Sequence, residues 1–298
     1  MDHYTDQTKA ILDERFNQTV DGIYYSHQPI YGYRSKYSAE SNISRHMITK
    51  SILNAIKKFS FDTFIDIGGA EGYTAFIVRE LFNAKVMSTD LSESACKRAK
   101  EIFGIDAVAC DIHHLPFEDK KFDVVLCSET IEHVTDYKLA IQELLRITRN
   151  VLIITVPHDS KEEVEANIRN KVPHGHINYF DIHTLDYLKQ QGYELEYEKT
   201  LSPLLVVPRV IAEGTKKDNN ALPYRIYNSI TPLLRKLFGI KTAISIIDAD
   251  VKVCKAFKSY SGITFTIVKE KLPAGKYKDK IIGAKDFVYK TVPLYSLV

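Results

Sequence analysis

The stretch Phe64-Ile65-Asp66-Ile67-Gly68-Gly69-Ala70-Glu71-Gly72 decides how this chain is read. An apolar run reaches an acid, Asp66, and a glycine-rich turn then opens directly into a helical pattern. Glycine has no Cβ and tolerates positive φ, so such a turn lets a ligand lie against the backbone. Dinucleotide folds place a pyrophosphate here with the spacing G-x-G-x-x-G and no carboxylate aimed at the phosphates. The spacing in this chain is Asp66-x-Gly68-x-Ala70-x-Gly72, which turns a negative charge toward the pocket. That arrangement suits a cationic ligand, one with an ammonium or a sulfonium.

Working outward, Lys85 to Thr89 predicts a second strand ending at Asp90, an acid placed to accept hydrogen bonds from two ribose hydroxyls. Ala107 to Cys110 predicts a short third strand followed by Asp111, and Phe122 to Cys127 is the near-continuous apolar run of a buried parallel strand. Taken singly, Asp90 and Asp111 read equally as helix N-caps. As a set with Asp66 they line the carboxyl edge, where open α/β sheets bind ligands. A helix carrying Leu139, Leu144 and Leu145 leads to a fifth strand, Val151 to Val156. Upstream, Ser44 reads as the N-cap of a helix whose face is Ile48, Ile52, Leu53 and Ile56. Downstream, Asp181 to Gln191 reads as a helix, and Tyr193 to Lys199 as a strand whose antiparallel partner is Ile263 to Val268.

The order of FIDIGGAEG, Asp90, DIHHLPFEDKKFDVV and SETIEHV resembles class I S-adenosylmethionine-dependent methyltransferases of the small-molecule, type 11 group, over roughly residues 45–200. The resemblance implies an α/β fold: a Rossmann-like, doubly wound seven-stranded sheet with an antiparallel last strand. It implies S-adenosylmethionine as cofactor, its methionine end held by Asp66 and Gly68, its ribose by Asp90, and its adenine by Asp111 with Ile112 beside the ring. Gly69, Ala70, Gly72, Leu91 and Ser128 complete the implied cofactor set. Ala70 stands where the family usually has glycine.

A chain of 298 residues can bury a large core. It divides into a tyrosine-rich N-terminal lid segment 1–43, a cofactor-binding core 44–200, an insertion 201–261, a closing strand 262–270 and a tail 271–298 whose Phe287-Val288-Tyr289 and Val292-Pro293-Leu294-Tyr295 should dock somewhere. The net charge of +2 hides a polarity: residues 200–298 carry +10 and the remainder −8. Apolar clusters beside basic residues in the insertion fit a helical cap that shapes the acceptor pocket, with a membrane surface as a further partner. The four cysteines, Cys96, Cys110, Cys127 and Cys254, are widely spaced and read as buried hydrophobes in a reducing compartment. No basic and apolar leader opens the sequence and no apolar run reaches membrane-spanning length. The expected location is cytoplasmic, with docking to the inner face of a membrane as an addition. The oligomeric state stays open.

Methyl transfer needs positioning and exclusion of water, and an oxygen acceptor also needs a base or a metal. In Ser128-Glu129-Thr130-Ile131-Glu132-His133, a helix would set Glu129 beside both Glu132 and His133. His174-Gly175-His176 follows the fifth strand on the same sheet edge. This E-x-x-E-H with a distant histidine resembles the divalent-metal site of ubiquinone O-methyltransferases and of small-RNA 2′-O-methyltransferases. That resemblance implies Glu129, Glu132, His133 and His176 as ligands of Mg²⁺ or, given two imidazoles, of Mn²⁺ or Zn²⁺. E-H-V also occurs widely in type 11 proteins that need no metal, and there His133 or His176 is the candidate catalytic base. His27, His113, His114, His158 and His183 read as ordinary loop histidines. Three functions remain: oxygen methylation of a small, lipid-linked or glycan acceptor; RNA 2′-O-methylation, against which the scattered lysines count; and a non-catalytic cofactor-binding module.

Overall fold

The computed structural model describes residues 3–38, 42–214, 222–270 and 272–293. Helix α1 (His3–Asn17) and the short hairpin β1 (Thr19–Val20) and β2 (Ile23–Tyr24) precede α2 (Asn42–Ile56). The core then alternates: β3 (Thr63–Ile67), α3 (Tyr73–Phe82), β4 (Lys85–Asp90), α4 (Glu93–Phe103), β5 (Asp106–Ala109), β6 (Phe122–Ser128), α5 (Tyr137–Ile147) and β7 (Thr148–Pro157). After α6 (Lys161–Arg169), α7 (Tyr187–Gln190) and β8 (Glu194–Thr200) come α8 (Val206–Glu213), α9 (Leu222–Leu237) and α10 (Ile240–Phe257), and then β9 (Gly262–Val268).

The seven-stranded sheet has the order β5-β4-β3-β6-β7-β9-β8, with β9 antiparallel to both neighbours and the other pairs parallel. This is the α/β fold expected from the sequence. Strands β3, β6, β7 and β9 are buried on both faces because alternate residues serve two cores. Phe64, Val124, Leu126, Val151 and Ile153 meet α2, α3 and α10, whereas Ile65, Val125, Cys127, Leu152 and Ile154 meet α5 and Phe180. The chain reverses its direction of winding between β3 and β6, which opens a crevice at the carboxyl ends of those strands.

Several local readings need correction. Only Tyr187–Gln190 is helical in the stretch read as a helix from Asp181. Asp181 Oδ1 accepts from the His183 N–H at 2.8 Å and from the Thr184 hydroxyl at 3.1 Å, a local turn that competes with helix formation. Helix α2 is under way at Asn42, so Ser44 lies inside it. Phe287 and Val288 of the tail are buried in the core that α2 and α10 share, while Leu294 and Tyr295 lie outside the described residues.

Candidate active site

One large cavity sits over the crevice, walled by the β3 and β4 ends, the loops after β5 and β6, and α1 and α2. Asp66, Gly68, Gly69, Ala70, Asp90, Leu91, Asp111, Ile112, Ser128, Glu129 and His133 all line it; Gly72, Glu132 and His176 do not. The turn after β3 is tight. A Cβ on Gly69 would lie 2.2 Å from Ser88 Oγ and 3.0 Å from the Asp66 carboxylate, so only glycine lets the backbone pass there. A Cβ on Gly72 would instead meet the Ala99 Cβ at 2.9 Å, which gives that glycine a helix-packing role against α4. Ala70 takes the left-handed conformation, φ 47°, that the family's usual glycine would adopt without strain.

Asp66 is 1 % exposed, and its Oδ1 has no hydrogen-bond partner. Burial, together with the charge of Asp90, pushes its carboxyl up to about 8. An orphaned buried acid facing a cavity is what an incoming ammonium would satisfy. Asp90 is already positioned: Oδ2 accepts from the Ala70 N–H at 3.0 Å and Oδ1 from the Ser92 N–H at 2.9 Å. Burial still outweighs these donors and raises it to about 6. Asp111 Oδ1 accepts from both the backbone N–H and the Nδ1 of His113, at 2.9 and 2.7 Å, which holds the acid below its ordinary value. His113 lies in a loop, as the sequence suggested, but it is buried there and positions Asp111.

Beyond the cofactor residues the chain gathers a histidine cluster. His133 stacks on His174 with ring centroids 3.9 Å apart and meets His176 edge-on at 4.8 Å. Burial and the two neighbouring rings push His133 down to about 2, and burial with Arg15 and His176 pushes His174 to about 4. His133 Nδ1 donates to the Gly175 carbonyl at 3.2 Å, and His176 Nδ1 faces Asp159 Oδ2. With its Nδ1 so engaged, His133 turns its Nε2 toward Glu132 Oε1, 3.7 Å away. Glu132, 1 % exposed, lies behind them with Oε2 unpartnered, and burial with the Glu129 charge drives its carboxyl well up.

The helical face expected for Glu129, Glu132 and His133 does not form. Strand β6 runs through Ser128, Glu129 takes φ 52°, and only Ile131–His133 makes a single 3₁₀ turn. One ligand atom each from Glu132, His133 and His176 lies within 4.8 Å of the others, a set without Glu129. Glu129 instead accepts at 3.0 Å from the Thr155 hydroxyl, itself bonded to Ser128 Oγ at 2.7 Å, and burial raises its carboxyl.

The sequence reading makes 1–43 a lid segment but assigns to the site none of the residues that segment 3–38 brings to the cavity. Tyr4, Thr8, Leu12, Arg15 and Phe16 of α1 and His27 line it, as does Arg45 of α2. Neither Arg15 nor Arg45 has a carboxylate at ion-pair distance among the described residues. Conversely, no described residue of the 201–261 insertion lines the cavity.

Residues 65–153 match the family described as a methyltransferase domain. The chain is similar to an uncharacterised protein of Methanocaldococcus jannaschii, 33% identical over 130 residues, which covers 41% of this chain and 56% of that relative. It is also similar to the phthiotriol/phenolphthiotriol dimycocerosates methyltransferase of Mycobacterium tuberculosis, 29% identical over 99 residues, 29% of this chain and 37% of the relative. The matched stretch thus spans about half the first relative and about a third of the second. Among solved structures, phosphoethanolamine N-methyltransferase 2 of Haemonchus contortus in complex with S-adenosyl-L-methionine shares the fold, with a TM-score of 0.50 and 18% identity over 74% of this chain and 52% of that one. No helix among the described residues is long and apolar enough to cross a membrane. The sheet order, the acids at its carboxyl edge and the matched domain together place the core of this chain among the class I S-adenosylmethionine-dependent methyltransferases.

Proposed function

We propose that the protein transfers a methyl group from S-adenosylmethionine to an oxygen of a small or lipid-linked acceptor. The observation that carries the cofactor half is the buried, unpartnered Asp66 Oδ1 at the glycine turn. Asp66 would take the ammonium, Arg15 or Arg45 the carboxylate, Asp90 the ribose hydroxyls and Asp111 the adenine amine. The bound cofactor supplies a methyl carbon activated by its sulfonium leaving group. The chain orients the acceptor and, with α1 over the cavity, keeps water out.

A hydroxyl acceptor must lose a proton. His133 is a weak base at neutral pH because its imidazole is held near 2. His176 is oriented by Asp159 but does not line the cavity. Glu129 does line it, and burial makes its carboxylate more basic. Glu129 therefore takes the proton in this reading. Glu129→Gln is expected to lower turnover about 10²- to 10⁴-fold with cofactor affinity unchanged. Radiolabel moving from the cofactor into a lipid or small-molecule fraction measures that turnover. A protein that binds the cofactor and labels no acceptor would be the non-catalytic module instead. This reading draws support from the mycobacterial relative, which is named as a methyltransferase of phthiotriol and phenolphthiotriol dimycocerosates.

A second reading adds a divalent metal at Glu132, His133 and His176. It is favoured by the orphaned Glu132 Oε2 and by two imidazoles whose Nδ1 atoms are occupied, the usual way a ligating histidine is oriented. A metal there would act as a Lewis acid on the acceptor oxygen. If it binds, Mn²⁺ raises the melting temperature of the native protein and not of Glu132→Ala. Unchanged melting with Mn²⁺, together with activity indifferent to chelator, removes this reading.

A further inference from the structure

Helix α9 leaves an apolar stripe uncovered. Ile226, Ile230, Leu233 and Leu237 are between 43 and 65 % exposed. Their spacing of four, three and four residues puts them on one helical face, while Thr231 on the other side is buried to 1 %. Helix α8, packed beside α9, adds Val207, 67 % exposed, and the turn before it adds Leu204, 52 % exposed. Scattered apolar side chains on a surface mean little, but a continuous row on one helix marks an interaction site.

Charge identifies the partner. From Leu222 to Ile247 the sequence holds Arg225, Arg235, Lys236 and Lys241 and no acidic residue. Arg225, Lys236 and Lys241 are exposed. A second copy of the chain seated on this face would bring like charges together with no acid in the segment to pair them. An anionic lipid surface meets both demands: headgroups for the cations and acyl chains for the stripe. At 16 residues α9 is too short to span a bilayer and long enough to lie in its interface. It is also fixed to the body of the protein, since the Arg34 guanidinium donates to the Ala212 carbonyl at 2.7 Å and to the Phe238 carbonyl, at the ends of α8 and α9.

We propose that α9 is a membrane-docking helix that lies flat on an anionic lipid surface, its Ile226–Leu237 stripe in the acyl boundary and Arg225, Lys236 and the adjoining Lys241 of α10 on the headgroups. The site is separate from the cavity, so cofactor binding serves as a control for folding. The test is co-sedimentation of the full chain with phosphatidylcholine vesicles and with vesicles of phosphatidylcholine mixed with phosphatidylglycerol. The protein is expected to pellet with the mixed vesicles, less so as salt rises. Leu233→Glu combined with Leu237→Glu is expected to weaken this at least about tenfold, with melting temperature and cofactor affinity retained. Arg225→Glu combined with Lys236→Glu should weaken binding to the mixed vesicles alone. Native protein that stays in the supernatant with both vesicles overturns the proposal. So does binding indifferent to the double leucine substitution, or a dimer dispersed by that substitution in a protein that ignores vesicles.

Discussion

Asp66→Asn is expected to abolish cofactor binding and, at the same time, to make the ligand-free protein more stable at mildly alkaline pH. Both effects come from the same buried oxygen. The folded protein holds the Asp66 proton up to about pH 8, whereas an unfolded chain releases it near the ordinary value of 3.8. A raised carboxyl contributes stability that is present below the unfolded value and is lost as pH rises through the folded one. The native protein without ligand therefore weakens from about pH 4 to about pH 8, and Asp90, raised to about 6, adds a loss of the same sign. Asparagine cannot ionise and escapes the Asp66 part of that loss. It also cannot offer a charge to an ammonium, and removing one partner of a buried, hydrogen-bonded charge pair costs about 2–5 kcal/mol in affinity. In the native protein, cofactor affinity should rise with pH toward about 8, because binding selects the ionised carboxylate. Calorimetric titration and thermal melts at mildly acidic and mildly alkaline pH read both effects. An Asp66→Asn protein with native affinity, or one that melts lower than the native chain at alkaline pH, would contradict the site.

The sheet and the cofactor wall were legible because their signals are local. A buried parallel strand must be apolar along its length, and each acid lies at or just past the carboxyl end of its strand, so Asp66, Asp90 and Asp111 could be placed by counting. The interpretation of E-x-x-E-H as one helical face failed because the chain stays extended through Ser128 and then takes a left-handed step at Glu129, which spacing alone does not reveal. The contacts that seat α1 and the segment after it were invisible for a different reason. Asp13 accepts from Ser92 Oγ at 2.6 Å, Gln28 Oε1 accepts from the Tyr73 N–H at 2.8 Å, and these partners are 79 and 45 residues apart in sequence. Such pairs carry no periodicity. Glu71 stands in the motif itself, yet nothing in a glycine-rich turn says that its acid points away from the ligand and toward α4.

Arg98→Ala tests that contact and is expected to be the most destabilising single change on the lid side of the molecule. Arg98 and Glu71 are 2 % and 0 % exposed and lie 3.5 Å apart. The guanidinium also donates to the carbonyls of Tyr25 and Gln18 at 3.1 Å each and sits over the Tyr24 ring at 4.1 Å. One side chain on α4 thus grips the β1–β2 hairpin and balances an acid of the cofactor turn, while the Glu71 carboxylate accepts the His27 N–H at 2.8 Å. Breaking a buried pair by removing one partner costs about 3–5 kcal/mol, because the other charge stays buried. Burial raises Glu71 to about 7 even with Arg98 beside it. Without the guanidinium that value climbs further, so the variant goes on losing stability through Glu71 above about pH 7, where this loss has levelled off in the native protein. The gap between the two should widen from mildly acidic to mildly alkaline conditions. Adding Glu71→Gln to Arg98→Ala removes the stranded acid and keeps an acceptor for His27, so the double variant should be more stable than Arg98→Ala alone. Cofactor affinity should fall with lid attachment, since α1 forms one wall of the cavity. Urea unfolding across pH, with limited proteolysis of the first forty or so residues as a local probe, separates these outcomes. An Arg98→Ala protein with native stability and native protease resistance would mean that the lid is held by its other contacts, and that the pair between α4 and the glycine turn is incidental.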